Sequence, residues 1–329
     1  MCLTYVSQKI IAKGTARQMN ATRTERRGGK TLGKRIAENW EIYLLLLPVV
    51  AYFIIFAYWP MYGLQIAFKN FKPQLGIWAS DWVGLAHFKR FVQGPYFWQL
   101  MRNTFFISLY SLVAGFPFPI ILAIFLNYQR GRTFKRIVQT VSYAPHFISV
   151  VVIVGMLQLF TSPYSGLVNK AIELLGGTAV NFMASKEWFP HIYVWSGIWQ
   201  HTGWSAIIYI GALTSISPEL HEAAVVDGAS ALQRIWHVDL PGIAQTIIIL
   251  LILDCGSLFS VGFEKIFLMQ NNLNSSVSEV ISTYVYKQGI IGAQYSYSSA
   301  VGLFNNLVSF ICIVVVNQIA KKVSSVSLF

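Results

Sequence analysis

Six long apolar runs divide this chain of 329 residues, at 42–58, 103–127, 141–160, 191–213, 243–267 and 298–320. A helix of about 20 mostly apolar residues matches the hydrocarbon thickness of a bilayer. Inside hydrocarbon the backbone must satisfy its own hydrogen bonds, which favours helices over open strands. The runs therefore predict an all-α polytopic membrane protein with six transmembrane helices. Composition agrees, since 55% of residues are hydrophobic and only 12% are charged, about half the charged share of soluble domains.

The net charge of +12 raises the question of nucleic acid, and the placement of the charge argues against it. Nine of the 25 Lys and Arg fall before the first run: Lys9, Lys13, Arg17, Arg23, Arg26, Arg27, Lys30, Lys34 and Arg35. A polar, basic tail over 1–40, ahead of a permanent first span, marks the cytoplasmic side. Six spans then return the C-terminus to that side. On this topology 16 basic residues lie inside and 8 outside, the sense expected of a multi-pass inner-membrane protein. The segment 69–102 fits least well, with five basic residues on the outer side, but its Trp78, Trp82, Trp98 and Tyr96 suit a structured layer at the membrane interface. Prolines 117 and 119 beside Gly115, and Pro145 in the third run, are expected to bend or break their helices. Cys2, Cys255 and Cys312 have no paired spacing for a metal or a disulfide framework.

Between the fourth and fifth runs lies the stretch EAAVVDGASALQRIWHVDLPG, residues 222–242. Ser217 can cap a helix that starts at Pro218, with Glu219 favoured by the helix dipole. Gly228 is placed where that helix would end, and a second turn set with Leu232, Ile235 and Trp236 runs to Pro241, which is expected to stop it. Two short helices with a glycine corner follow, with Ala223, Ala224, Gly228 and Ala229 forming a face that another protein could approach closely. A loop that merely joins two spans would look similar in composition.

The motif is more specific than the pattern. Glu222-Ala223-Ala224, then Asp227-Gly228-Ala229, then Leu240-Pro241 eleven residues on, resembles the EAA loop of ABC importer permeases; Ile235 and Val238 depart from the residues usual there. The stretches VGLAHFKRF, NTFFISL, HTGWSAIIYIGALTSIS, GFEKIFLM and YSYSSAVGLFNN extend the resemblance over most of residues 40–329, to carbohydrate permeases of the maltose type and their LplB-like oligosaccharide branch. The resemblance implies a MetI-like type I importer fold in the domain 41–329. It implies a coupling loop at 215–242 that fits a groove on a dimeric cytoplasmic ATPase through Glu222, Ala223, Ala224, Asp227, Gly228, Ala229, Leu240 and Pro241. A second permease subunit in a heterodimer and an extracytoplasmic solute-binding protein complete the implied assembly. ATP and Mg would bind the ATPase, since this chain has no phosphate loop of the form GxxxxGK[ST]; no cofactor, metal or catalytic residue is expected on the permease itself.

Polar groups inside apolar runs are expensive and mark function by default. Asp254, Glu264, Gln200, His201, Trp204 and Asn305 are the candidates for a substrate path, because aromatic rings stack on sugar faces while amides and hydroxyls bond sugar hydroxyls. Adjacent residues point apart on a helix, so Glu264 and Lys265 are not expected to pair. Each candidate could instead hold the bundle together. An outer surplus of four positive charges weighs towards an acidic oligosaccharide. An ion-coupled secondary transporter would need paired intramembrane carboxylates or inverted repeats. An intramembrane enzyme would need a nucleophile and base at matched depth, and neither GxSxG nor HExxH occurs.

Overall fold

The computed structural model describes residues 39–259 and 261–324; nearly all of the basic tail lies outside them. The described chain divides into two units at Gly63 and Leu64. Helix α1, Trp40–Phe53, continues through a wide turn at Ile54–Tyr58 into a tight one ending at Phe68, giving a 29-residue candidate span.

The second unit holds most of the structure. A two-residue hairpin pairs β1 (Lys69–Asn70) with β2 (Asp81–Trp82) ahead of α2 (Ala86–Val92). Then follow α3 (Phe97–Gly115), α4 (Pro117–Tyr128), α5 (Arg132–Tyr143), α6 (Val150–Phe160), α7 (Leu167–Leu174) and α8 (Trp188–Thr214). Beyond α8 come α9 (Pro218–Val226), α10 (Ala231–Arg234), α11 (Ala244–Gly256), α12 (Phe263–Met269), α13 (Ile281–Tyr286) and α14 (Tyr295–Ser324).

The spans differ from six simple rods. Among the described residues three stretches are long and apolar enough to cross a membrane, Trp40–Phe68, Phe97–Tyr128 and Tyr295–Lys322, and the number rises to five if each of two sharply bent pairs is one span. The expected fourth run is α8, one continuous helix of 27 residues, about 40 Å at 1.5 Å per residue. Its Gln200, His201 and Thr202 dilute the apolar character that the other spans carry. The expected third run is broken by 100° after Phe147, just past Pro145. The expected fifth run is two helices, α11 and α12, with residues 257–259 and 261–262 between them outside either helix.

The prolines act unequally. Pro145 precedes a sharp break, whereas Phe97–Tyr128 continues as one span past Pro117 and Pro119. Pro117 opens α4 at the position where a missing N–H costs nothing, and the Phe116 amide still bonds the Leu112 carbonyl. Pro241 corrects the sequence expectation too. The helical path runs through it to Gly242 and turns by 62° only before Ala244, because the wide turn at Ile235–Asp239 offsets the hydrogen bonds that the proline ring would otherwise block.

α8 is the axis of this unit, packing on α3, α4 and α5. Three buried clusters hold the arrangement. Phe91, Leu100, Tyr284 and Val301 join α2, α3, α13 and α14; Ile107, Val154, Phe189 and Ile266 join α3, α6, α8 and α12; Ala123, Ala206, Tyr209 and Ile243 join α4, α8 and the entry to α11. Asparagine side chains pin the irregular segments. Asn169 bonds the carbonyls of Thr161, Ser162 and Val180, and the fully buried Asn274 bonds those of Met183 and Met269.

Gly203 marks the closest approach of α8 to α5, since a Cβ there would overlap the Ser142 carbonyl, while one at Gly211 would meet nothing within 4 Å. Gly203→Ala is expected to destabilise by about 1–3 kcal/mol, whereas Gly211→Ala should be neutral or stabilising by up to about 1 kcal/mol. Thermal unfolding of the two variants in the same detergent checks the contrast.

Candidate functional site

The two breaks in the apolar runs leave backbone carbonyls that no helix partner satisfies, and neighbouring helices supply the donors. The Gln200 amide, buried in α8, donates to the Ile148 carbonyl at 3.1 Å, at the bend between α5 and α6. Asn305 of α14 donates to the Phe259 carbonyl at 2.8 Å, between α11 and α12. Exposed irregular backbone is not tolerated in hydrocarbon, so a broken span has to be covered by protein or line a cavity.

A cavity of about 510 Å³ lies against the second break. Its wall takes Ser108, Ser111 and Pro119 from α3 and α4, Tyr193, His201, Thr202 and Ser205 from α8, and Asp254, Ser257, Gly262 and Lys265 from the broken fifth run. This volume falls among ordinary ligand pockets, about 300–1,000 Å³. Lys265 is 8% exposed. Its Nζ donates to the Tyr193 carbonyl at 3.0 Å and lies 5.0 Å from the centre of the Tyr193 ring. Among the described residues the Asp254 carboxylate has no hydrogen-bond or ion-pair partner, so the wall presents one cation and one anion that do not quench each other by direct contact. Hydroxyls of Ser108 and Ser111 from α3, of Tyr193, Thr202 and Ser205 from α8, and of Ser257 complete a surface suited to a polyhydroxylated guest.

The sequence candidates divide cleanly. Asp254 and His201 line the cavity. Gln200 and Asn305 do not, because their amides are taken up by the two breaks. Trp204 is also off the wall: its ring stacks on His146 at 4.5 Å, and the His146 and His201 Nδ1 atoms lie 3.3 Å apart. Glu264 is exposed and off the wall while Lys265 turns inward, the divergence expected of adjacent helical residues. Tyr193 and the serines of α3 escaped sequence reasoning, since serine and tyrosine are ordinary in helices and only packing aims them at one space. No group of three or more metal-ligating side chains occurs among the described residues.

The stretch 215–242 forms the expected pair of short helices. Ser217 caps α9 from its side chain, and Gly228 ends it at φ +77°, the left-handed region where only glycine is unstrained. The Ala229 amide returns to the Ala224 carbonyl, closing the corner. A capping box of Ser230 and Gln233, unforeseen in the sequence, starts α10. Glu222, Ala223, Asp227, Gly228 and Pro241 are exposed, and Ala224, Ala229 and Leu240 are half-buried. Beside them Leu220, Val226, Leu232 and Trp236 stand out from the surface, between 57 and 86% exposed.

Residues 115–325 match the model of the binding-protein-dependent transport system inner membrane component. The chain belongs to this family. The permease is 45% identical over 292 residues to Protein LplB of Bacillus subtilis, covering 89% of this chain and 92% of LplB. It is 41% identical over 311 residues to the polygalacturonan/rhamnogalacturonan transport system permease protein YteP of the same organism, covering 94% and 97%. Among solved structures it superposes with a TM-score of 0.83 and 39% identity on a chain of a bacterial ABC transporter involved in the import of the acidic polysaccharide alginate, covering 90% of this permease and all of that chain. A structure of bacterial alginate ABC transporter in complex with alginate pentasaccharide-bound periplasmic protein matches with the same TM-score at 37% identity.

If the amides of Gln200 and Asn305 serve the breaks, Gln200→Leu and Asn305→Leu should each cost about 1–3 kcal/mol by stranding a buried carbonyl. The exposed Glu264→Gln should stay within about 0.5 kcal/mol of the parent. Denaturation midpoints of the three variants decide this.

Proposed function

We propose that this chain is the permease subunit of an ATP-driven importer that moves an oligosaccharide, of acidic type, across the bacterial inner membrane. It works by alternating access, with both termini in the cytoplasm, alongside a companion permease, a dimeric ATPase and an extracytoplasmic binding protein. The observation that carries the reading is the cavity at the broken fifth run. Helices α3, α8, α11 and α12 converge there with hydroxyls, Asp254, His201 and the buried Lys265. Discontinuous spans characteristically place substrate sites where backbone and side chains both face a cavity.

Support for an acidic cargo comes from Lys265 and from the named cargoes of the relatives, polygalacturonan and alginate. A desolvated ammonium is a strong partner for a uronate carboxylate, and neighbouring hydroxyls can bond the sugar ring. Asp254 on the same wall disfavours a second carboxylate close by, which would set the register of a charged oligomer. Support for coupling comes from the stretch 215–242, whose exposed apolar side chains and exposed Glu222 need a partner outside the described fold. ATP-driven closure of an ATPase can bias the permease only through contacts that differ between its two states. Glu222 then pairs with basic groups on the ATPase, while Ala223, Ala224 and Ala229 let the two backbones approach around the Gly228 corner. Leu240 and Pro241 hand the motion on to α11.

The complete assembly in liposomes tests the reading. Uptake of a labelled oligogalacturonate should require ATP and the binding protein, and Lys265→Gln should lower it about tenfold, the equivalent of about 1.4 kcal/mol of lost transition-state stabilisation. A neutral oligosaccharide of equal length should be far less affected. Uptake driven by a proton gradient without ATP would establish an ion-coupled carrier instead.

A further inference from the structure

The carboxylate of Asp239 is 0% exposed, at the end of the wide turn that follows α10. Two other parts of the chain meet it, and a third residue braces one of them. The Tyr128 hydroxyl, on the last residue of α4, donates to its Oδ2 at 2.7 Å. His221 Nε2, on α9, lies 3.4 Å from its Oδ1. Arg234, at the end of α10, sets its guanidinium 5.6 Å from the centre of the Tyr128 ring. Burying a carboxylate is costly unless it is partnered, so Asp239 stays buried only while Tyr128 of α4 and His221 of α9 are held against it.

We propose that Tyr128, Asp239 and His221 form a clasp through which displacement of the two loop helices is delivered to α4. They are positioning residues for transport and rest on the reading that this loop receives an ATPase. The direction of force follows from the packing. α4 is seated on α8 through Ala123, Ala206 and Tyr209, and both Tyr209 and Pro119 of α4 lie on the cavity wall. A loop fastened only to its own chain neighbours, α8 and α11, would move the cavity from two sides. Fastened to Tyr128 it moves a third wall as well, and α4 cannot lag behind. Spatial continuity alone does not demonstrate coupling, so the test reads coupling directly.

The experiment uses the full assembly in liposomes and measures sugar uptake and ATP hydrolysis on the same preparation. Tyr128→Phe keeps the ring under Arg234 and removes only the hydroxyl. The expected result is ATPase retention and ATP hydrolysis within twofold of wild type, with uptake per ATP lowered at least fivefold. Asp239→Asn, which keeps an acceptor for Tyr128, should retain more uptake per ATP than Asp239→Ala. The double variant Tyr128→Phe with Asp239→Ala should lose no more than Asp239→Ala alone, because both remove the same link. Unchanged uptake per ATP in Tyr128→Phe overturns the clasp while leaving the coupling reading intact. So does equal loss of hydrolysis and uptake in every variant, which a merely structural role would give. A wild-type chain that retains no ATPase overturns the coupling reading and the clasp with it.

Discussion

A backbone carbonyl released from a helix inside an apolar layer has to find a donor, and the architecture of this permease is organised around that requirement. Two expected spans are broken, and at each break a primary amide reaches across from another helix to take the free carbonyl: Gln200 to Ile148 and Asn305 to Phe259. With those groups satisfied, the third run can turn by 100° and the fifth can open into irregular backbone. A continuous helix at either place would present only side chains to the interior. The broken one adds backbone and curvature, and so creates the space that Asp254, Ser257 and Lys265 share with α8.

The same requirement explains why polar residues in apolar runs divide into two classes. Some bond the protein and are consumed by it, as Gln200, Asn305, Asn169 and Asn274 are. Others remain available at the cavity, as Asp254 and the serines of α3 do, while His201 lines it with one ring nitrogen on His146. Lys265 stands between the classes, because one donor serves the Tyr193 carbonyl while the ammonium stays on the cavity wall. An ammonium has three donors, so holding one leaves two for a guest.

The loop at 215–242 shows the complementary economy. Its outer surface exposes apolar and small residues beside Glu222 and Asp227, while its inner surface is tied to the end of α4 by a buried carboxylate. An element of this kind can be gripped from outside without peeling away from the spans it touches. Gly228 at positive φ turns the chain between the two helices, and the offset of hydrogen bonds at Ile235–Asp239 carries the helical path through Pro241 towards α11. Stiffness matters for a transmitting element, since a flexible loop would absorb displacement as local rearrangement.

The sequence by itself determined the class of the chain, the approximate place of the apolar runs, the paired helices with their glycine corner, and the family through the spacing of Glu222, Gly228 and Pro241. These are local properties: hydropathy, caps and turn residues act over a few positions. Tertiary structure decided which polar residues face the cavity and which brace a break, because Gln200 and Ile148 are 52 residues apart in the chain and Asn305 and Phe259 are 46. It also decided that Pro145 precedes a sharp turn while Pro117 leaves its span continuous, since both prolines open a helical segment and the packing around each sets the path that follows. The burial of Asp239 was illegible for the same reason. Its partners come from α4 and α9, and no pattern near residue 239 specifies that they meet.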